Sequence, residues 1–208
     1  LIDTRLEPLN IILPYGGYNL IDINNNINDM SKEYKKTKSI KSSLFIKTYN
    51  SIFNKIKVYF KNLVVGLYKL HKARIKTSHG DVVFRFNEKK APQTSQRIKF
   101  LIQSGFYNGI KFHRVIPGFV AQAGDPQGTG QGGSGKKLNA EFNDEKHRPG
   151  TIAMARKGND INSADSQWYI TLGVHPHLDG KYTIFGKVEE GMDVATKIVQ
   201  GEKIIKMS

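Results

Sequence analysis

Between residues 39 and 70 the apolar positions fall three and four apart. Phe45, Tyr49, Ile52, Phe53, Ile56, Phe60, Leu63, Val64 and Leu67 trace one stripe, and lysines fill much of the rest. That spacing predicts an amphipathic helix. After Leu70 the texture shortens to β-like runs at 73–77 and 81–86, separated by the turn formers Ser78, His79 and Gly80, so a hairpin is predicted. Pro92, then Ile98, Phe100, Leu101 and Ile102, then Gly105 read as a helix with proline near its start and glycine past its end. Further strands are predicted at 112–123, 151–156, 167–172 and 182–188, with a second short helix at 192–199. Strands dominate and the two helices do not alternate with them, which favours an antiparallel barrel or sandwich over a parallel sheet.

Upstream of the stripe the texture is different again. An Asn-rich tract at 24–28, interrupted by Ile27 and preceded by Pro14, Gly16 and Gly17, reads as turn and loop. The chain opens on Leu1, which leaves room for a missing amino terminus and a targeting signal on it. No uncharged apolar stretch approaches the roughly 20 residues of a spanning helix, so no transmembrane segment is expected. Cysteine is absent, which excludes a disulfide scaffold, a thiolate metal site and a cysteine nucleophile, but does not fix the compartment. Cytoplasm or nucleus is slightly favoured.

Charge changes the picture in one place. The net charge is +14, from 32 Lys plus Arg against 18 Asp plus Glu. Residues 34–80 hold twelve basic and no acidic residues, so nearly all the excess is local. The plainest reading is a helix that packs its stripe on its own domain or a twin chain, with the lysines in solvent. Docking on nucleic acid or a membrane surface through residues 34–80 is the alternative.

Several motifs mislead. GTGQGGSGKK at 128–137 overlaps a dinucleotide fingerprint, but no helical apolar period follows it. It also nearly spells a phosphate-binding loop, yet Lys137 stands where the magnesium-binding hydroxyl belongs. The remaining reading is a mobile glycine-rich surface loop. His175 and His177 flank Pro176 without a third ligand nearby, so no metal site is expected. No G-x-S-x-G elbow is present.

One block is demanded by no simple periodicity: FHRVIPGFVAQAGD at 112–125. GTIAMAR at 150–156, SQWYI at 166–170 and LDGKYTIFGKVEEGMDV at 178–194 follow it. Together these resemble the cyclophilins, the cyclosporin-binding family of peptidyl-prolyl cis/trans isomerases, motif after motif in the family's order. The resemblance runs over 73–208 and not over the first 72 residues. It implies a mainly β fold: a closed antiparallel eight-stranded β-barrel capped by two α-helices, preceded by a basic, partly helical N-terminal extension at 1–72. It further implies proline-containing peptides or unfolded proteins as partners, and no cofactor.

Rotation about an X-Pro amide must break the resonance of the bond, a barrier of about 18–20 kcal/mol. No bond is made or broken, so a pocket for the ring and a cation near the prolyl nitrogen suffice. The resemblance implies that Arg114 is that cation, donating toward the nitrogen as it gains a lone pair. Phe119, Val120, Tyr169 and Leu178 match the proline pocket, and Gln122 matches the anchor for the substrate carbonyl. Ala155 and the backbone of Arg156 match the strand edge that bonds the peptide, Gln167 the floor of the site. His113 reads as a packed structural residue. His177 stands where the family's best-known members have Trp, which implies weakened cyclosporin binding. Tyr182 replaces a histidine and Val120 a methionine, both mild changes. Residues 204–208 read as the start of a barrel-closing strand. Two rival functions are a catalytically weak proline-peptide binding scaffold, and an RNA- or lipid-docking protein acting through the basic extension.

Overall fold

A computed structural model of the chain describes residues 70–208. The Asn-rich tract, and the basic helix expected over 39–70 except for Leu70, lie outside the described residues. The predicted hairpin is β1 (Lys72–Thr77) and β2 (Gly80–Phe86). Along β1 burial alternates strictly, with Ala73, Ile75 and Thr77 turned inward, as the two-residue period of a strand requires. Helix α1 (Pro92–Gln103) starts on its proline as expected. Its free N-terminal amides are capped from a distance: the Glu141 carboxylate accepts from the backbone N–H of Gln93 at 2.9 Å and of Thr94 at 2.8 Å.

The remaining elements are β3 (Arg114–Ile116), β4 (Val120–Ala123), β5 (Thr151–Met154), β6 (Trp168–Thr171), a 3-10 turn (Pro176–Leu178), β7 (Ile184–Glu190), α2 (Met192–Ala195) and β8 (Lys206–Met207). The single strand expected at 112–123 is two strands. Pro117 and Gly118 break it; Gly118 takes a φ of +71°, open to glycine at little cost, and Phe119 N–H bonds Ile116 O at 2.9 Å to close the turn. The second helix ends four residues earlier than its apolar pattern suggested.

All eight strands join one antiparallel sheet in the order β3-β4-β6-β5-β7-β2-β1-β8. The expectation of a closed barrel is corrected here: the sheet curls into a half-barrel with β3 and β8 at its two ends. Between those ends, irregular backbone bonds take the place of a ladder. Gly109 N–H donates to Ile204 O at 2.7 Å, Ile204 N–H to Ile110 O at 2.9 Å, and Phe112 N–H to Glu202 O at 2.8 Å. The segment at 204–208 does supply a last strand, β8, which pairs with β1.

The sheet has two apolar faces. Inside the curl, Phe84, Ile98, Tyr107, Phe112, Trp168 and Phe185 form the main core. On the other face of the central strands sits a second, smaller cluster of Val120, Ala153, Tyr169 and Ile184. Strands β5 and β6 are therefore buried at every position, Ile152, Met154, Trp168 and Ile170 on one side, Ala153 and Tyr169 on the other.

The glycine-rich loop after β4 is not a loose excursion. Asp125, fully buried, accepts backbone N–H bonds from Gln127, Thr129, Gly130 and Gly132. Further on, Asp165 accepts from the amides of Ser134 at 3.0 Å and Gly135 at 2.8 Å.

Candidate active site

Strand register lines up one row of residues across five strands. Arg114 on β3 lies opposite Gln122 on β4, Gln122 opposite Tyr169 on β6, Tyr169 opposite Ala153 on β5, and Ala153 opposite Ile184 on β7. Directly opposed residues share a face, so the row runs from a cation at the sheet's end across the second apolar cluster.

Around that row the sequence-selected apolar residues converge. Phe119, Ala155, Leu178 and Tyr182, all half-buried, pack against buried Val120 and Tyr169. Tyr169 is 5% exposed and forms the floor. Tyr182 meets it edge-on with ring centroids 6.0 Å apart. Phe119, held out by the turn at Gly118, makes one wall. His177 stacks on it at 6.1 Å and 19°, and His175 meets it edge-on at 4.7 Å. The His175 Nε2 also lies 3.1 Å from Gly118 O, which ties the 3-10 turn to the wall. The result is a small greasy recess with aromatic sides.

Polar groups border it on one side. The exposed Arg114 guanidinium lies over the Phe119 ring, 5.4 Å from its centroid, and its Nη1 donates to Gln122 Oε1 at 3.4 Å. Gln122 Nε2 donates to Gln167 Oε1 at 3.0 Å. Arg156 supplies a second guanidinium, 4.8 Å from the Tyr182 ring centroid and donating to the carbonyls of Lys181, Lys157 and Gly158. Gln122, Ala155, Arg156 and Gln167 also line a cavity of about 280 Å³ next to the recess, completed by the glycine-rich loop. Every residue selected from sequence thus falls in one neighbourhood, the apolar ones in the recess and the polar ones along its edge. His113 packs half-buried against Gly130, and burial lowers its imidazole pKa, in keeping with the structural reading.

Sequence reasoning missed the support beneath the floor. His147 is 1% exposed, with Nδ1 at 2.9 Å from Asp179 Oδ1 and Nε2 at 3.1 Å from the Tyr169 hydroxyl. A carboxylate only accepts, so Nδ1 carries the proton and Nε2 accepts from the Tyr169 O–H. Burial holds the imidazole below its ordinary pKa despite the neighbouring Asp179. Burial likewise pushes the Tyr169 phenol well up, so it stays a hydroxyl. Asp179 is kept low, first by the His147 backbone N–H. A lone histidine and an aspartate 32 positions on carry no local signal for this pairing.

Among the described residues no group of three or more metal-ligating side chains occurs, and no helix is long and apolar enough to cross a membrane.

Comparison with known proteins agrees with this geometry. The family model for cyclophilin type peptidyl-prolyl cis-trans isomerase/CLD matches residues 72–206. A peptidyl-prolyl cis-trans isomerase of Helicobacter pylori is 46% identical over 136 residues, covering 64% of this chain and 82% of that protein. One from Synechococcus elongatus is 42% identical over 137 residues, covering 65% of this chain and 93% of its own. The crystal structure of a Cryptosporidium parvum cyclophilin type isomerase superposes with a TM-score of 0.62 at 32% identity, over 66% of this chain and 95% of that one. Fold, recess and sequence match converge on one conclusion: the chain belongs to the cyclophilin type peptidyl-prolyl cis-trans isomerase family.

Proposed function

We propose that the recess is the active site of a peptidyl-prolyl cis-trans isomerase, with Arg114 as its electrostatic catalyst. The observation that supports this reading is the cross-strand row, with one guanidinium at the end of a line of residues that leads into the second apolar cluster. A proline side chain packs on Phe119, Val120, Tyr169 and Leu178 while its amide faces Arg114. As the bond twists, the nitrogen loses conjugation and its lone pair localises; a donor aimed there stabilises the twisted state more than either planar one. A million-fold acceleration requires about 8 kcal/mol of such differential binding. No proton is transferred and no covalent intermediate forms.

Gln122 orients Arg114 and offers its amide to the substrate carbonyl; Ala155 and the Arg156 backbone, just past the end of β5, bond the peptide; Gln167 closes the floor toward the loop. His177, stacked on Phe119, gives a smaller surface than an indole, so cyclosporin binds weakly. Support for the peptide comes from a relative: the Cryptosporidium parvum protein was also crystallised in the presence of the dipeptide Ala-Pro, at 31% identity. In this reading residues 73–208 are the isomerase domain and 1–72 an extension, whose basic block is the place for contact with nucleic acid or anionic lipid.

The test is an exchange measurement on a proline peptide, by NMR or a protease-coupled assay, with wild type and Arg114→Ala. Wild-type turnover that Arg114→Ala lacks supports the reading; equal rates for the two sink it.

A further inference from the structure

The glycine-rich loop, read from sequence as a surface excursion, is wired to Arg114. Arg114 Nη1 donates to Gln122 Oε1 at 3.4 Å, and Gln122 Nε2 to Gln167 Oε1 at 3.0 Å. Gln167 Nε2 donates to Gly132 O at 2.8 Å, and Gly132 N–H to Asp125 Oδ2 at 3.1 Å. All four donors point the same way, from the guanidinium to the carboxylate. This polarity is forced from both ends. Arg114 has no acceptor, so Gln122 must present its oxygen there; the Gly132 carbonyl has no donor, so Gln167 must present its NH2 there, while Asp125 holds the loop by the N–H of the preceding peptide unit. Turning either amide over would oppose donor to donor. The three bonds joined through the Gln122 and Gln167 amides are aligned in one direction, so they polarise one another and resist reorientation.

Asp125 is the anchor of that wire. It has no exposed surface, and its oxygens accept from Gln127 N at 2.8 Å, Thr129 N at 2.9 Å, Gly130 N at 2.6 Å and Thr129 Oγ1 at 3.1 Å as well. Burial by itself raises the carboxyl's pKa, but the amides of Gln127, Gly132 and Gly130 outweigh it and keep the group ionised. A side chain at Gly132 would run into Asp125 and Gln127, so the loop closes only with glycine there.

We propose that Asp125 is a positioning residue for the isomerase reaction: by organising the loop through Gly132, it fixes the amides of Gln167 and Gln122 and, through them, the aim of Arg114. The inference rests on the catalytic reading of Arg114 given above. It gives the glycines at 128–135 a task unrelated to nucleotides.

The experiment compares full-length wild type, Asp125→Asn, Gln167→Ala, the double variant and Arg114→Ala in the exchange assay, with thermal unfolding recorded for each. Asparagine fills the space but sets an NH2 among the loop's N–H donors. Asp125→Asn is expected to lower kcat about tenfold with KM within about twofold, and the double variant to lose no more than Gln167→Ala alone. Glu141→Gln, which weakens a carboxylate cap on α1 and leaves the path from Asp125 to Arg114 untouched, serves as the stability control and keeps wild-type kcat. A folded Asp125→Asn with wild-type kcat, or losses that simply add in the double variant, overturns the inference. Should Asp125→Asn not fold, Gln167→Ala cuts the same path without touching the buried carboxylate. In that case a tenfold kcat loss supports the wire and an unchanged kcat ends it. If Arg114→Ala itself turns over like wild type, the reading of the site fails instead, and the inference with it.

Discussion

The two faces of the central strands differ although the same residues build them. On the inner face Trp168 packs edge-on against Tyr107 at 6.0 Å and Phe112 at 6.1 Å, sealed from solvent. One residue along, Tyr169 points the other way into a cluster whose walls are only half-buried. The inner face spends its apolar surface on cohesion. The outer one keeps part of its surface open, and so can exchange water for a ligand's ring. A strand buried at every position is thus serving two ends, and alternation along four residues separates them.

Substitutions on either side of β6 break this comparison most sharply. Trp168→Ala removes an inner anchor and is expected to cost about 3–5 kcal/mol of stability, read by urea unfolding, while any protein that stays folded keeps its affinity for a proline peptide. Arg114→Ala is the opposite case: kcat/KM falls about 10²–10³-fold, as for loss of one aimed donor, with the urea midpoint unmoved because the side chain is exposed. Tyr169→Phe sits between the two. It keeps the ring but leaves His147 Nε2 buried without its partner, for a loss of about 1–3 kcal/mol in stability and a rise in KM rather than a fall in kcat.

The smallest effect is a pH dependence. His147 and His113 are both held below the ordinary imidazole pKa by burial. The unfolded chain therefore binds more protons than the folded one as pH falls below about 6.5, and stability declines with acidity in that window. Asp125 and Asp179, both below their ordinary values, extend the decline into the carboxylate range. Replacing His147 with Gln flattens the upper part of the profile; a slope unchanged in that variant contradicts the assignment.

Much of the site was legible before any coordinates. The block at 112–125 and the three shorter motifs nominated a set of side chains, and strand alternation then put Phe119, Val120, Ala155, Tyr169, Leu178 and Tyr182 into one cluster. What failed has physical reasons. The turn at Pro117 and Gly118 was hidden inside an apolar run that, by periodicity alone, reads as one strand. The sheet stops short of a barrel because the gap between its ends is spanned by bonds between segments 109–112 and 201–204, too irregular for a strand pattern to announce. The glycine loop looked unanchored because Asp125 holds backbone amides, which every sequence has. His147 and Asp179 meet only through folding.

The half-barrel also bears on self-association. Unpaired strand edges are templates for other extended chains. Here the two outermost strands span just three and two residues, β3 and β8, and the backbone beside them is already occupied in crossing the gap. With both outermost strands this short, the molecule leaves little rim along which another extended chain, or a neighbour in a crowded cell, could be stitched into the sheet.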